Sequence, residues 1–156
     1  MRNNYREKTI MKVHKESIGR LISILYRSGQ NHIGRQLEPY GVGAGQFAFL
    51  AELFQKDGVS QDELASFFRC DRATATRALQ RLESQGYVIR KKSEEDGRVN
   101  LVYLTDKAHL FQPTLYSVLS GWTEKLAEGF SDDEKRLLIT LLTRLVKNTV
   151  KTQGPE

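Results

Sequence analysis

The chain holds a single cysteine, Cys70, among 156 residues. No intrachain disulfide can form, and a reducing compartment, the cytoplasm, is expected. No run approaches the ~18 consecutive apolar residues of a membrane-spanning helix, so no membrane segment is expected. The first residues, MRNNYREKTIMKVHKE, are charged and lack the apolar stretch of a secretory signal. Prolines number three, and with no low-complexity tract or internal repeat there is no linker to place; one domain over 1–156 is expected. His14, His32 and His109 show no metal-ligand spacing, so no metal or other cofactor is expected. A nucleophile elbow, a phosphate-binding glycine loop and an H-E-x-x-H motif are all missing. Gly41, Gly43 and Gly45 are spaced as a loose loop, not as a dinucleotide fingerprint. Nothing supports an enzyme.

What is present is charge in one place. Hydrophobic residues make up 39% and charged residues 28% of the chain, the mix of an ordinary globular protein. The net charge is +5. Between Arg69 and Lys92 lie seven basic residues (Arg69, Arg72, Arg77, Arg81, Arg90, Lys91, Lys92), opposed only by Asp71 and Glu83. A solvated surface usually mixes its signs, so this block favours a polyanionic partner.

Apolar spacing predicts a helix from about His14 to Leu37 through Ile18, Leu21, Ile22, Leu25, Ile33 and Leu37, weakened at Gly29 and Gly34 and ended by Pro39. The residues before it read as polar and frayed. A second helix is expected from about Ala44 to Gln55, with Phe47, Leu50 and Leu53/Phe54 inward. Ser60-Gln61-Asp62-Glu63 is a capping box opening a short helix to about Phe68. Asp71 has the chemistry of an N-cap for a helix Arg72–Gln85 that Gly86 ends. That helix points Ala75, Leu79 and Leu82 inward and Arg72, Thr74, Thr76, Arg77, Gln80 and Arg81 outward. Two β-prone runs follow around a charged turn, and Arg98–Leu104 reads as a strand with Val99, Leu101 and Tyr103 on one side. Helix, turn, helix and basic hairpin make a winged helix-turn-helix, a reader of duplex DNA.

Thr105-Asp106 can cap a long helix to about Glu128, which Pro113 should kink or delay. Ser131-Asp132-Asp133-Glu134 is a second capping box, opening a last helix to about Lys151. Its apolar positions 137, 138, 139, 141, 142, 145, 146 and 150 cover far more than the ~100° stripe of a half-buried helix. A second subunit is the expected cover, with the N-terminal helix joining it. The fold class is mainly α with a small β wing.

The stretch DRATATRALQRLESQGYV followed by EEDGRVNLVYLT resembles the MarR family of bacterial and archaeal transcriptional regulators, over roughly 14–150. The most specific match is the Asp-x-Arg of the wing, Asp96 and Arg98, ahead of Leu104-Thr105. Thr76-Arg77, and Leu82-Glu83 before Gly86, fit as well. The resemblance implies an obligate homodimer with interleaved terminal helices (14–38 and 106–151) around a winged helix DNA-binding region (43–105). It further implies a pseudo-palindromic double-stranded operator, repression in most members, and release by a small phenolic or aromatic acid.

Arg98 at the wing tip is the residue expected in a minor groove, with Asp96, by resemblance, orienting it. Asp96-Gly97 is also a good sequence for a plain two-residue type I′ turn. Arg72, Thr74, Thr76 and Arg77 occupy the amino end of the recognition helix. There arginine can pair with guanine, and threonine can meet a thymine methyl or a phosphate. Arg81, Lys91 and Lys92 are candidates for phosphate contacts and equally for solvated surface. Tyr26, Arg27, His32, Tyr40 and Phe47 are candidates for a pocket taking an aromatic acid, and serve as well for core or dimer packing. Cys70 lies near a helix N-terminus, where a thiolate is favoured. The sensing cysteine of the family's oxidant sensors, however, sits near the start of the first helix, so Cys70 reads as structural. The alternative to a DNA reader is a winged helix protein–protein interaction module without specific DNA binding.

Overall fold

A computed structural model describes residues 17–151. The expected helix onset at His14 and the polar residues before it lie outside the described residues, as does the side chain of Val150. Residues up to Ser120 form one compact unit and those from Gly121 a second; each is described by itself.

Helix α1 (Ile18–Leu37) starts where the Ser17 hydroxyl accepts from the Arg20 amide. It stops at Glu38-Pro39-Tyr40, which form one 3-10 turn ended by Gly41 at φ 74°. Gly29, Ile33 and Leu37 are buried, whereas Ile18, Leu21, Ile22 and Leu25 are between 44% and 57% exposed. Gly34 has a packing reason: a Cβ there would lie 3.2 Å from Ala44 Cβ, so the loop after α1 crosses the helix at this position.

Helix α2 (Phe47–Gln55) begins three residues later than expected. Ala44 to Gln46 are held as a turn because the Gln46 side chain accepts from the Gly43 amide at 2.9 Å. Phe47, Phe49, Leu50 and Leu53 are buried, and Phe54 is half-buried, edge-on to the rings of His109 and Tyr116.

A two-residue strand, β1 (Val59–Ser60), precedes helix α3 (Gln61–Phe68). The capping box is complete: Ser60 Oγ accepts from the Glu63 amide and Glu63 Oε2 from the Ser60 amide. Those bonds, the Ser60 amide first, hold the Glu63 carboxyl below its ordinary pKa. After α3, Arg69 takes a left-handed conformation, φ 49°. Helix α4 (Arg72–Ser84) follows, N-capped by Asp71. Its inward stripe of Ala75, Ala78, Leu79 and Leu82 is no more than 5% exposed. Each fully buried leucine is worth roughly 1.5–3 kcal/mol of burial.

Strands β2 (Val88–Lys92) and β3 (Asn100–Leu104) pair antiparallel, Val88 with Leu104 and Lys92 with Asn100. β1 adds to the far edge of β3, giving the order β1-β3-β2. Of the three expected together on one side of this strand, Val99 precedes its start. Val102, on the other side from Leu101 and Tyr103, is fully buried. Tyr87 ties the unit together: it is 2% exposed, its hydroxyl donates to the Tyr40 carbonyl at 2.8 Å, and its ring lies 5.0 Å from Phe111. Burial raises its phenol pKa.

Helix α5 (Asp106–Leu126) opens with Thr105 Oγ1 accepting from the Ala108 amide. Of the two expected effects of Pro113, a kink or a delayed start, the delay does not occur; the helix runs unbroken from Asp106. The carbonyl that loses its helical donor is that of His109, an exposed residue, so water can satisfy it. In the second unit, Gly129 at φ 82° and the reciprocal Ser131–Glu134 capping box lead into helix α6 (Asp132–Lys151). Leu137, Leu138, Ile139, Leu141, Leu142 and Val146 of α6 are all at least 40% exposed.

Candidate nucleic-acid interface

Helix α4 exposes the residues that its inward stripe leaves over, and local bonds fix them. Asp71 Oδ1 accepts from the Thr74 amide at 2.7 Å and Oδ2 from the Thr74 hydroxyl at 3.0 Å. These bonds, the amide first, hold the Asp71 carboxyl below its ordinary pKa. Thr74 Oγ1 in turn accepts from Arg77 Nη2 at 3.0 Å. Asp71, Thr74 and Arg77 therefore form one chain that presents the Arg77 guanidinium.

Thr76 is engaged in the same way from the other side. Its hydroxyl donates to the Arg72 carbonyl at 2.7 Å and accepts from Gln61 Nε2 at 2.6 Å. A threonine hydroxyl has one proton, so both Thr74 and Thr76 spend theirs inside the protein. What each can offer a duplex is its methyl group or a remaining lone pair. Arg72 is held at its Nε, 3.2 Å from Asp62 Oδ1. Arg81 is exposed, with no carboxylate at ion-pair distance among the described residues.

Of the basic block, Arg90 is spent on structure. Its Nε lies 3.0 Å and its Nη2 2.5 Å from Glu83 Oε2, joining the end of α4 to β2. The side-chain bond from Arg90 is the main cause that holds the Glu83 carboxyl below its ordinary pKa. Lys91 lies 5.7 Å from the Tyr103 ring centroid, close enough for a cation–π contact, and is exposed, as is Lys92.

The wing loop is seven residues, 93–99, closed at its base by the Ser93 amide donating to the Val99 carbonyl at 2.9 Å. A two-residue type I′ turn at Asp96-Gly97 is not formed, since Gly97 is not among the glycines at positive φ. Instead Asp96 Oδ1 accepts from the Arg98 amide at 3.0 Å and lies 3.9 Å from Arg98 Nε. The Arg98 side chain is 97% exposed. Glu94 and Glu95 share the loop, so the tip as a whole is not basic; Arg98 is its one cation. Arg72 and Arg98 line a common small cleft of about 40 Å³ with Ser60, Gln61 and Asp62. The amino end of α4 and the wing arginine are therefore neighbours.

The five residues expected around an effector are placed apart. Tyr26 and Arg27 are exposed on α1, and His32 bonds to Gln36 of the same helix. Tyr40 packs its ring on Phe111, 5.1 Å between centroids, and Phe47 is in the core. A cleft of about 310 Å³ is lined instead by Gln30, Asn31, Arg35 and Glu38 of α1, the Gly41–Ala44 loop and Arg81. None of the five lines it. Tyr26 and Arg27 fall a turn short of it on the same helical face.

Cys70 is half-buried, and its amide donates to the Ala65 carbonyl at 3.1 Å. Among the described residues no three His, Cys, Asp or Glu side chains are grouped to hold a metal ion, and no helix is long and apolar enough to cross a membrane. Gln61 and Asp62 were not singled out from the sequence, where they are only the two residues between Ser60 and Glu63 of the capping box.

The family model described as MarR family matches residues 43–99. The HTH-type transcriptional regulator YybA of Bacillus subtilis is 32% identical over 104 residues, 67% of this chain and 69% of that protein. The crystal structure of a MarR transcriptional regulator from Methanosarcina mazei superposes with a TM-score of 0.85 at 40% identity, covering 88% of this chain and 99% of that one. A mutant of Escherichia coli MarR, solved in complex with operator DNA, superposes with a TM-score of 0.75 at 25% identity, over 85% of this chain and 96% of that one.

Proposed function

This chain belongs to the MarR family, and from that premise we propose that it is a cytoplasmic homodimeric repressor, bound to a pseudo-palindromic operator and released by a small phenolic or aromatic acid. The coarser part comes with the family: the protein is a DNA-binding transcriptional regulator, and its relatives are regulators rather than enzymes.

The observation that carries the DNA reading is the shared cleft of Arg72 and Arg98. It sets a major-groove candidate at the start of α4 near a minor-groove candidate on the wing, so that one duplex can meet both. Arg77, presented by Thr74, is the second base-reading candidate. Thr74 and Thr76 offer methyls, Arg81, Lys91 and Lys92 are candidates for phosphates, and Asp96 orients Arg98.

The apolar faces left open on α1 and on α6 support the dimer, since contiguous exposed apolar surface marks a protein interface. A two-fold dimer would set its two recognition helices about 34–36 Å apart, one turn of the duplex. The cleft lined by Arg35 and Arg81 supports the effector: its volume suits a one-ring molecule, and its guanidiniums suit a carboxylate. Ligand there and phosphate on the duplex would compete for Arg81.

Light scattering, then anisotropy titration of a bulk duplex with increasing salt, tests this reading. A dimer whose log K falls steeply with log salt is the expected result. A monomer, or binding that is weak at low salt and indifferent to it, would refute the proposal.

A further inference from the structure

Asp62 complements the dipole at the amino end of α3 but is not its cap. The amino end of α3 is already capped by the Ser60–Glu63 box, and the Asp62 carboxylate reaches instead to Arg72 of α4, 3.2 Å from Nε, with both side chains more than 60% exposed. An exposed pair of this kind adds little to stability. Its negative charge also stands on the face that would meet a polyanion, where it lowers attraction to any duplex whatever its sequence. Its effect is therefore to be sought in how Arg72 meets DNA.

We propose that Asp62 is a specificity-determining positioning residue, which restrains the Arg72 guanidinium so that it reads a base edge and does not settle on the nearest phosphate. The inference rests on α4 facing the duplex. Three features support it. The contact is made through Nε, whereas a guanine can be read through the paired terminal nitrogens, so the two engagements need not compete. Gln61, beside Asp62, fixes Thr76 by the 2.6 Å bond to its hydroxyl, so the first turn of α3 holds two adjacent outward positions of α4. Asp62, Arg72 and Arg98 line one cleft, which places the restraint at the junction of the two grooves' readers. With Asp62 neutral, Arg72 gains the freedom to take a phosphate. Affinity for any sequence then rises while discrimination falls.

The test measures wild type, Asp62→Asn, Arg72→Ala and the double variant on a selected operator and on a scrambled duplex of equal length, across a salt series. Asp62→Asn should bind the scrambled duplex roughly threefold tighter, for one repulsive charge removed near the backbone. Its salt slope should steepen by about 0.9, for one added phosphate contact, and its operator-to-scrambled ratio should fall. In the Arg72→Ala background the same substitution should leave that ratio unchanged, because Asp62 acts through Arg72. Asp62→Glu should restore part of the ratio, which a purely structural loss would not allow. An unchanged ratio in Asp62→Asn, or an equal fall in both backgrounds, overturns the proposal. Should Asp62→Asn unfold early, Asp62→Ala in the wild-type and Arg72→Ala backgrounds replaces it: a fall in the ratio confined to the wild-type background supports the proposal, an unchanged ratio or an equal fall in both overturns it. A wild type that does not distinguish operator from scrambled duplex overturns the DNA-facing reading and this inference with it. Preserved discrimination with an inert Asp62 sinks the inference alone.

Discussion

Replacing Arg98 by alanine separates binding from folding. The side chain is 97% exposed, and its one ion pair among the described residues is the 3.9 Å approach to Asp96 Oδ1. The bond that shapes the loop, Asp96 Oδ1 accepting from the residue 98 amide, uses backbone and survives the change. A surface substitution of this kind shifts stability by no more than about 0.5 kcal/mol. A guanidinium in a groove is worth about 1–3 kcal/mol of operator affinity; at ~1.4 kcal/mol per tenfold that is roughly fivefold to 150-fold in Kd. The assay is fluorescence anisotropy on operator duplex, paired with a thermal melt and a light-scattering mass. The reasoning requires weakened binding with an unchanged Tm and an unchanged mass. Equal affinity would remove Arg98 from the interface. A loss of Tm matching the loss of affinity would show a structural role the geometry does not contain.

Gly58→Ala should destabilise by about 1–3 kcal/mol, since φ is 68° and the new Cβ would lie 2.8 Å from Tyr103 Cε1; an unchanged urea midpoint would contradict this. Tyr87→Phe, which leaves the Tyr40 carbonyl without its donor, should cost about 0.5–1.5 kcal/mol by the same measurement. Asp71, Glu63 and Glu134 all have carboxyl pKa values lowered by the amides they cap. Groups depressed in the folded state contribute stability that is present above their unfolded pKa, about 3.9 for Asp and 4.3 for Glu, and lost as pH falls through the folded values. Tm should therefore decline below about pH 4, with less of a decline in Asp71→Asn. A variant curve parallel to wild type would deny Asp71 its share.

Where the chain's structure is set by neighbours in sequence, it could be read there. Both capping boxes, the Asp71 N-cap and the inward stripe of α4 rest on spacings of one to four residues, and all are found. Departures occur where distant groups decide. Strand β1 has two residues, too few for any period, and exists because β3 offers it an edge. Helix α2 is the local exception: it starts late because the Gln46 side chain turns back three residues onto the Gly43 amide. Val102 became the buried residue of β3 because helices, among them α2 and α3, pack against the sheet, which no alternation within β3 alone specifies. The site follows the same division. Arg72, Thr74, Thr76, Arg77 and Arg98 stand out as an outward face and a wing tip. That Asp62 and Gln61 reach across from α3 depends on contacts 10 and 15 residues apart in sequence. The effector candidates scattered for a related reason: chain proximity put Tyr26, Arg27, His32, Tyr40 and Phe47 together, while helical phase and the core took them apart.

Selection from a pool of randomised duplexes, followed by a salt titration on the winning sequence, bears most directly on the central claim. A two-fold symmetric sequence, its half-sites one helical turn apart and its log K falling steeply with log salt, is the predicted result. A pool that emerges without enrichment, bound weakly even at low salt by protein refolded to strip any ligand, would contradict it.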